Sequence, residues 1–145
     1  MPITRFKGIT GGTIWTPQRR EVTITTPDLQ TGENIQLFFL GSPSFYCYEV
    51  SADKPARIRI YANQQKQAAD LNRPVPLDLE SALNQAANGI LLDVVLSTEL
   101  SISLSPAVII PLAIGNQAPV TITNMSSNAA SVEMRLIILE IEKNA

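Results

Sequence analysis

The chain of 145 residues contains no histidine and one cysteine, Cys47. Without histidine there is no Ser-His-Asp or Cys-His nucleophilic site and no His-containing zinc site. A lone cysteine forbids an intrachain disulfide, which fits assembly in a reducing cytoplasm. Charge is scarce as well. Charged residues make up 17% of the chain, against about 25% in an average soluble domain. Hydrophobic residues make up 45%, and the net charge is only −2. No basic field exists to attract nucleic acid. The first residues, Met1 to Arg5, lack the apolar run of a secretory signal. The longest apolar-rich stretch, Leu100 to Gly115, is broken by Pro106, Pro111 and serines, so no membrane span is expected.

The missing charge is concentrated in one place. From Leu100 through Val132 there is no Asp, Glu, Lys or Arg. Two readings explain this. The segment forms central strands with Ser, Thr and Asn on their outer sides, or it forms a subunit interface, where charge is depleted at the core of the patch. The two are compatible.

What is present reads as short strands separated by Pro, Gly, Asn and Asp. Arg57-Ile58-Arg59-Ile60-Tyr61 alternates, with both isoleucines on one face and both arginines on the other. Val120 to Thr123 alternates in the same way, and Glu21 to Thr25 turns Val22 and Ile24 inward. Ile35–Leu40 and Phe45–Val50 flank Gly41-Ser42-Pro43 as a hairpin or a tight corner. Ile90–Leu96, Leu100–Leu104 and Val108–Ile114 are three further strand candidates. In the last strand the apolar positions change from Met134, Leu136 and Ile138 to Ile137, Leu139 and Ile141. A β-bulge near residues 136–139 explains this shift, and so does a strand covered on both faces. Asp78 to Asn88 predicts one short helix, with Asp78 as N-cap and Gly89 as stop. Residues 63–72 read as a helical turn or a polar loop. The fold expected is all-β: a single β-sandwich or jelly-roll domain over residues 21–145, with one short helix and an extended N-terminal arm over residues 1–20.

Catalytic chemistry finds little footing. Cys47 lacks a histidine partner and sits in an aromatic strand, as a small core residue does. Glu49, Asp53, Asp70, Asp78, Glu80, Asp93 and Glu99 form no local constellation for glycosidic acid/base work. Asp93, inside an apolar run, is expected to point outward or to bind a neighbouring backbone group. The glycine-rich stretch Gly8 to Thr13 lacks the Gly-Lys-Ser/Thr of a phosphate cradle. Asn124-Met125-Ser126 matches a glycosylation sequon, a pattern too short to carry weight. We expect no enzyme, no metal and no cofactor.

Pro55 to Ala62, Ala68-Ala69-Asp70 with Arg73, Gly89 to Val95, Leu104-Ser105-Pro106 and Val120 to Asn124 occur in that order. This set, spanning Tyr46 to Asn124, resembles a module of small structural proteins of tailed phages, found as minor tail, fibre or head-decoration components. The final alternating strand also resembles that module's last strand. The resemblance implies a small β-sandwich, commonly oligomeric, with no catalysis. Residues 76–88 are longer and more helical than that pattern, and the first 40 residues fall outside it. The expected role is a virion subunit, made in the host cytoplasm, acting as capsid decoration or as a neck or tail-fibre component. It would form a homo-oligomer, expected to be a trimer, and bind other virion proteins. The expected interface residues are Trp15, Ile102, Leu104, Val108, Ile110, Leu112, Ile114, Ile137, Leu139 and Ile141. The alternative is a carbohydrate- or surface-binding module using Trp15, Tyr46, Tyr48 and Tyr61. A secreted cellular β-sandwich and an enzyme are more distant readings.

Overall fold

Strands whose side chains alternate between apolar and polar can bury one side and leave the other for water or a covering element. In a computed structural model, which describes residues 19–71, 82–112 and 115–142, this alternation produces eight strands. They are β1 (Arg19–Thr25), β2 (Asn34–Leu40), β3 (Ser44–Ala52), β4 (Ala56–Tyr61), β5 (Ile90–Leu96), β6 (Ser101–Pro111), β7 (Gln117–Asn124) and β8 (Glu133–Glu140). All pair antiparallel, in two four-stranded sheets. Sheet A has the order β1-β8-β3-β6 and sheet B the order β2-β7-β4-β5. Apart from β4 and β5, consecutive strands lie in opposite sheets. This is the double Greek-key winding of an eight-stranded jelly roll, the expected all-β sandwich.

The core lies between the sheets. Val22, Phe45, Cys47, Val50, Leu136 and Ile138 meet Ile58, Ile60, Val120, Ile122, Leu92 and Val94 there. Phe39 and Phe45 pack edge-to-face, with ring centroids 5.8 Å apart. Gly41 occupies the corner beside them. A Cβ at that position would come within 2.8 Å of the Phe45 ring, so only glycine fits without displacement. Because β2 and β3 belong to different sheets, residues 41–43 form a corner and not a hairpin.

Helix differs from expectation. Among the described residues two short helices form, α1 (Gln64–Asp70) and α2 (Ala82–Ala87). The Asn63 Oδ1 accepts a hydrogen bond from the Lys66 N–H at 2.8 Å, so the polar segment acquires its own N-cap. Gly89 terminates α2 as expected, with a φ of 68° that suits glycine. The expected cap Asp78 lies outside the described residues. α1 is fastened to the outer face of sheet B by its buried Gln67, whose Nε2 donates to the carbonyls of Val120 (2.9 Å) and Leu37 (3.2 Å).

Two strand boundaries and the phase of the last strand also differ from expectation. β1 begins at Arg19, two residues inside the expected arm, while residues 1–18 lie outside the described region. The two strand candidates over 100–114 merge into β6. Its ladder to β3 breaks where residues 104–107 lie opposite Tyr48 alone, between the pairs Val108–Cys47 and Ser103–Glu49. The last strand does not change phase. β8 holds continuous register with β1 from Leu139 to Glu133, and Met134, Leu136 and Ile138 all remain 0% exposed. The irregularity opposite it belongs to β3, at Tyr48. Ile137 and Leu139 are therefore apolar residues on the outer side of a strand whose inner side is already apolar.

Candidate interaction surface

The outer face of sheet A is read from its register. Arg19 pairs with Leu139, Leu139 with Tyr46, and Tyr46 with Ile109. Directly opposed residues share a face, so these four side chains form one row across all four strands. The neighbouring row is Glu21, Ile137, Glu49 and Ser103. Arg19 lies over the Tyr48 ring with its guanidinium carbon 4.3 Å from the centroid, within cation–π range. Tyr46 and Tyr48 have centroids 6.2 Å apart. The result is an apolar and aromatic patch of Tyr46, Tyr48, Ile109, Ile137 and Leu139 with Arg19 and Glu49 beside it. Ile109 is 52% exposed. Farther along the face, Arg135 pairs with Glu133 at 2.9 Å and reaches Glu21 at 4.0 Å. Those exposed pairs are polar rim.

The charge-free segment divides between two environments. β7 is central in sheet B, and Ala118, Val120 and Ile122 are 0% exposed, so half of it is core. β6 is an edge strand, pairing among the described residues only with β3. Of the expected interface residues, Ile110 on β6 is fully buried, and Ile102, Leu104 and Val108 on it and Leu112 just beyond it pack partly buried against the core. These are inward residues, a correction that follows from the pleat: Ile102, Val108 and Ile110 oppose Val50, Cys47 and Phe45, whose side chains are all buried. The exposed positions are Ser101, Ser103, Ser105, Pro106, Ile109 and Pro111. Ile137 and Leu139 do lie outward, and Ile141 is exposed. Trp15 and Ile114 lie outside the described residues. Ile109, Tyr46 and Tyr48 complete the patch, and the alternation of β6 and β3 was the signal that placed them.

The aromatics of the carbohydrate reading do not come together. Tyr46 and Tyr48 are on sheet A, whereas Tyr61 is on sheet B and 1% exposed. The Tyr61 hydroxyl donates to Asp70.

Asp93 points outward as expected, onto the outer face of sheet B, where it is buried against arginine side chains. Arg57 donates twice to Asp93, Nε to Oδ1 at 2.9 Å and Nη2 to Oδ2 at 2.7 Å. Arg59 bridges two carboxylates, with Nη1 at 2.9 Å from Asp70 and Nε at 3.3 Å from Asp93. α1 supplies Asp70 and thereby helps cover the cluster. Both carboxylates are engaged by arginine. Burial and the Asp70 hydrogen bond push the Tyr61 hydroxyl up to about 12. Burial pushes the Cys47 thiol up to about 11, and its Sγ lies 3.8 Å from the Glu49 carbonyl. It is a core thiol with little thiolate character. Among the described residues no three His, Cys, Asp or Glu side chains group as a metal site, and no helix is long and apolar enough to cross a membrane. Asn124 is fully buried, its Nδ2 donating to the carbonyls of Leu29 and Asn128 at 2.8 and 3.0 Å. The sequon is thus a structural turn.

No protein-family model matches the chain, and no curated protein does. Among solved structures it is similar to the solution NMR structure of a de novo designed double-stranded beta-helix, at 14% identity and a TM-score of 0.36. The match covers 82% of this chain and 97% of that one.

Proposed function

We propose that the chain is an assembly subunit of a tailed-phage virion, a capsid decoration or a neck or tail-fibre component, working by protein–protein binding as a homotrimer. The observation that carries this reading is the outward row Leu139–Tyr46–Ile109, which runs into the uncharged edge strand β6. The occupant of that surface is a second copy of this chain. At a rotation axis each side chain approaches its own copies, so any charge there meets like charge, at a cost of several kcal/mol. β6 carries none from Ser101 to Pro111. Arg19, Glu21 and Arg135 stand off the strand, where a polar rim belongs, and the one carboxylate that reaches it, Glu49 on β3, accepts a hydrogen bond from Ser101 at 3.0 Å. An uncharged edge left open would also invite unlimited strand pairing, and a closed ring removes that exposure. The ordered motifs between Tyr46 and Asn124 support the virion role.

Particles purified from the source phage test the virion role. An antibody against this chain should label them, in a fixed copy number per particle. Its absence from purified particles contradicts that role.

A further inference from the structure

Sheet B carries a second surface feature, on the opposite sheet from the proposed subunit contact. A recess of about 210 Å3 opens where α1 begins, lined by Ala62, Asn63, Gln64, Gln65 and Gln117. Among the described residues every polar lining side chain is a neutral amide. Gln117 pairs with Leu40 across β2 and β7, so the two share the outer face, with Cβ atoms about 5 Å apart. Phe38, two residues along β2 on that same face, is the diagonal neighbour of Gln117. Leu40 is 58% and Phe38 49% exposed. Two of the protein's large exposed apolar side chains therefore flank its amide-lined recess.

The geometry points to a binding site for a neutral oligosaccharide. Sugar hydroxyls both donate and accept hydrogen bonds, and primary amides do the same from one side chain. A pyranose also presents an apolar C–H face, which packs on an exposed aromatic ring beside its polar partners. Among the described residues none that lines the recess is charged, so the described lining favours a neutral ligand. Asn63 uses its Oδ1 to cap α1, leaving its Nδ2 as a donor. The Gln64 amide nitrogen is 3.5 Å from the Gln117 Oε1, a separation at the limit of hydrogen bonding that a ligand hydroxyl would readily replace.

Amide chemical shifts of the full chain, titrated with maltotriose, cellotriose and chitotriose, test this, with sialyllactose as the charged comparison. At least one neutral trisaccharide should shift residues 38, 40, 62–65 and 117. Phe38→Ala and Gln117→Ala should each weaken that binding about tenfold, and the unchanged remainder of the spectrum shows that both variants are folded. The proposal is overturned if none of the three sugars binds up to about 10 mM, or if both variants bind as the parent does. Equal binding of sialyllactose overturns it as well. So does a change in oligomeric state on Phe38→Ala without sugar binding, because the patch is then a protein contact. The subunit reading rests on sheet A, and sedimentation of the same samples reports on it separately.

Discussion

Arg57 and Asp93 are joined by two hydrogen bonds, 2.9 and 2.7 Å, on the outer face of sheet B, and their side chains are 1% and 0% exposed. Removing one partner leaves the other charge buried without compensation, which costs about 3–5 kcal/mol. Asp93→Ala should lower the urea midpoint accordingly. The double variant Arg57→Met, Asp93→Leu should recover much of that loss, because a well-packed apolar pair is often no less stable than the ion pair. Equal loss in both variants would show that the site depends on charge and not on satisfaction of charge.

Tyr61 makes stability depend on alkaline pH. Its folded value is raised to about 12 from an ordinary 10.0. A raised value contributes stability that is fully present below the unfolded value and is lost as pH rises through the folded one. The parent should therefore lose stability between about pH 10 and 12 more steeply than Tyr61→Phe, whose phenol is absent. Chemical denaturation of both proteins at several pH values across that window checks this. Parallel slopes would contradict it.

The corner between the sheets should resist substitution. Gly41→Ala places a methyl 2.8 Å from the Phe45 ring, in a core without room for it, and should cost about 1–3 kcal/mol. A thermal melt unchanged from the parent would show that the ring moves aside freely.

Much of the fold was legible in the sequence because alternation is local. Val22 and Ile24, Ile58 and Ile60, and Val120 and Ile122 point where their spacing says. The break in β3 was not legible. The apolar pairs at Met134–Ile138 and Ile137–Ile141 look like a phase change in β8, but the extra residue belongs to its neighbour at Tyr48. Only pairing across the sheet shows which strand carries it. The ion-pair partners of Asp93 were not legible for a similar reason. Its partners Arg57 and Arg59 lie 36 and 34 positions earlier, and their meeting depends on the β4–β5 register. Two arginines on one strand face, with a lone aspartate in a later apolar strand, were the available signal. On β6 the charge-free run marked the strand, while its pleat decided that Ile109, and not Ile110, is offered to a partner. The amides at the start of α1 and Gln117 are more than 50 residues apart, so no local spacing could join them.

Ile109 separates adhesion from folding, because it is an exposed edge residue in the proposed contact. Sedimentation velocity of the parent and of Ile109→Glu at micromolar concentration is the most direct test of the account. The parent should sediment as three copies of the 15.8 kDa chain, and the variant as one, with circular dichroism unchanged. A parent that stays monomeric, or a variant that remains a trimer, would contradict it.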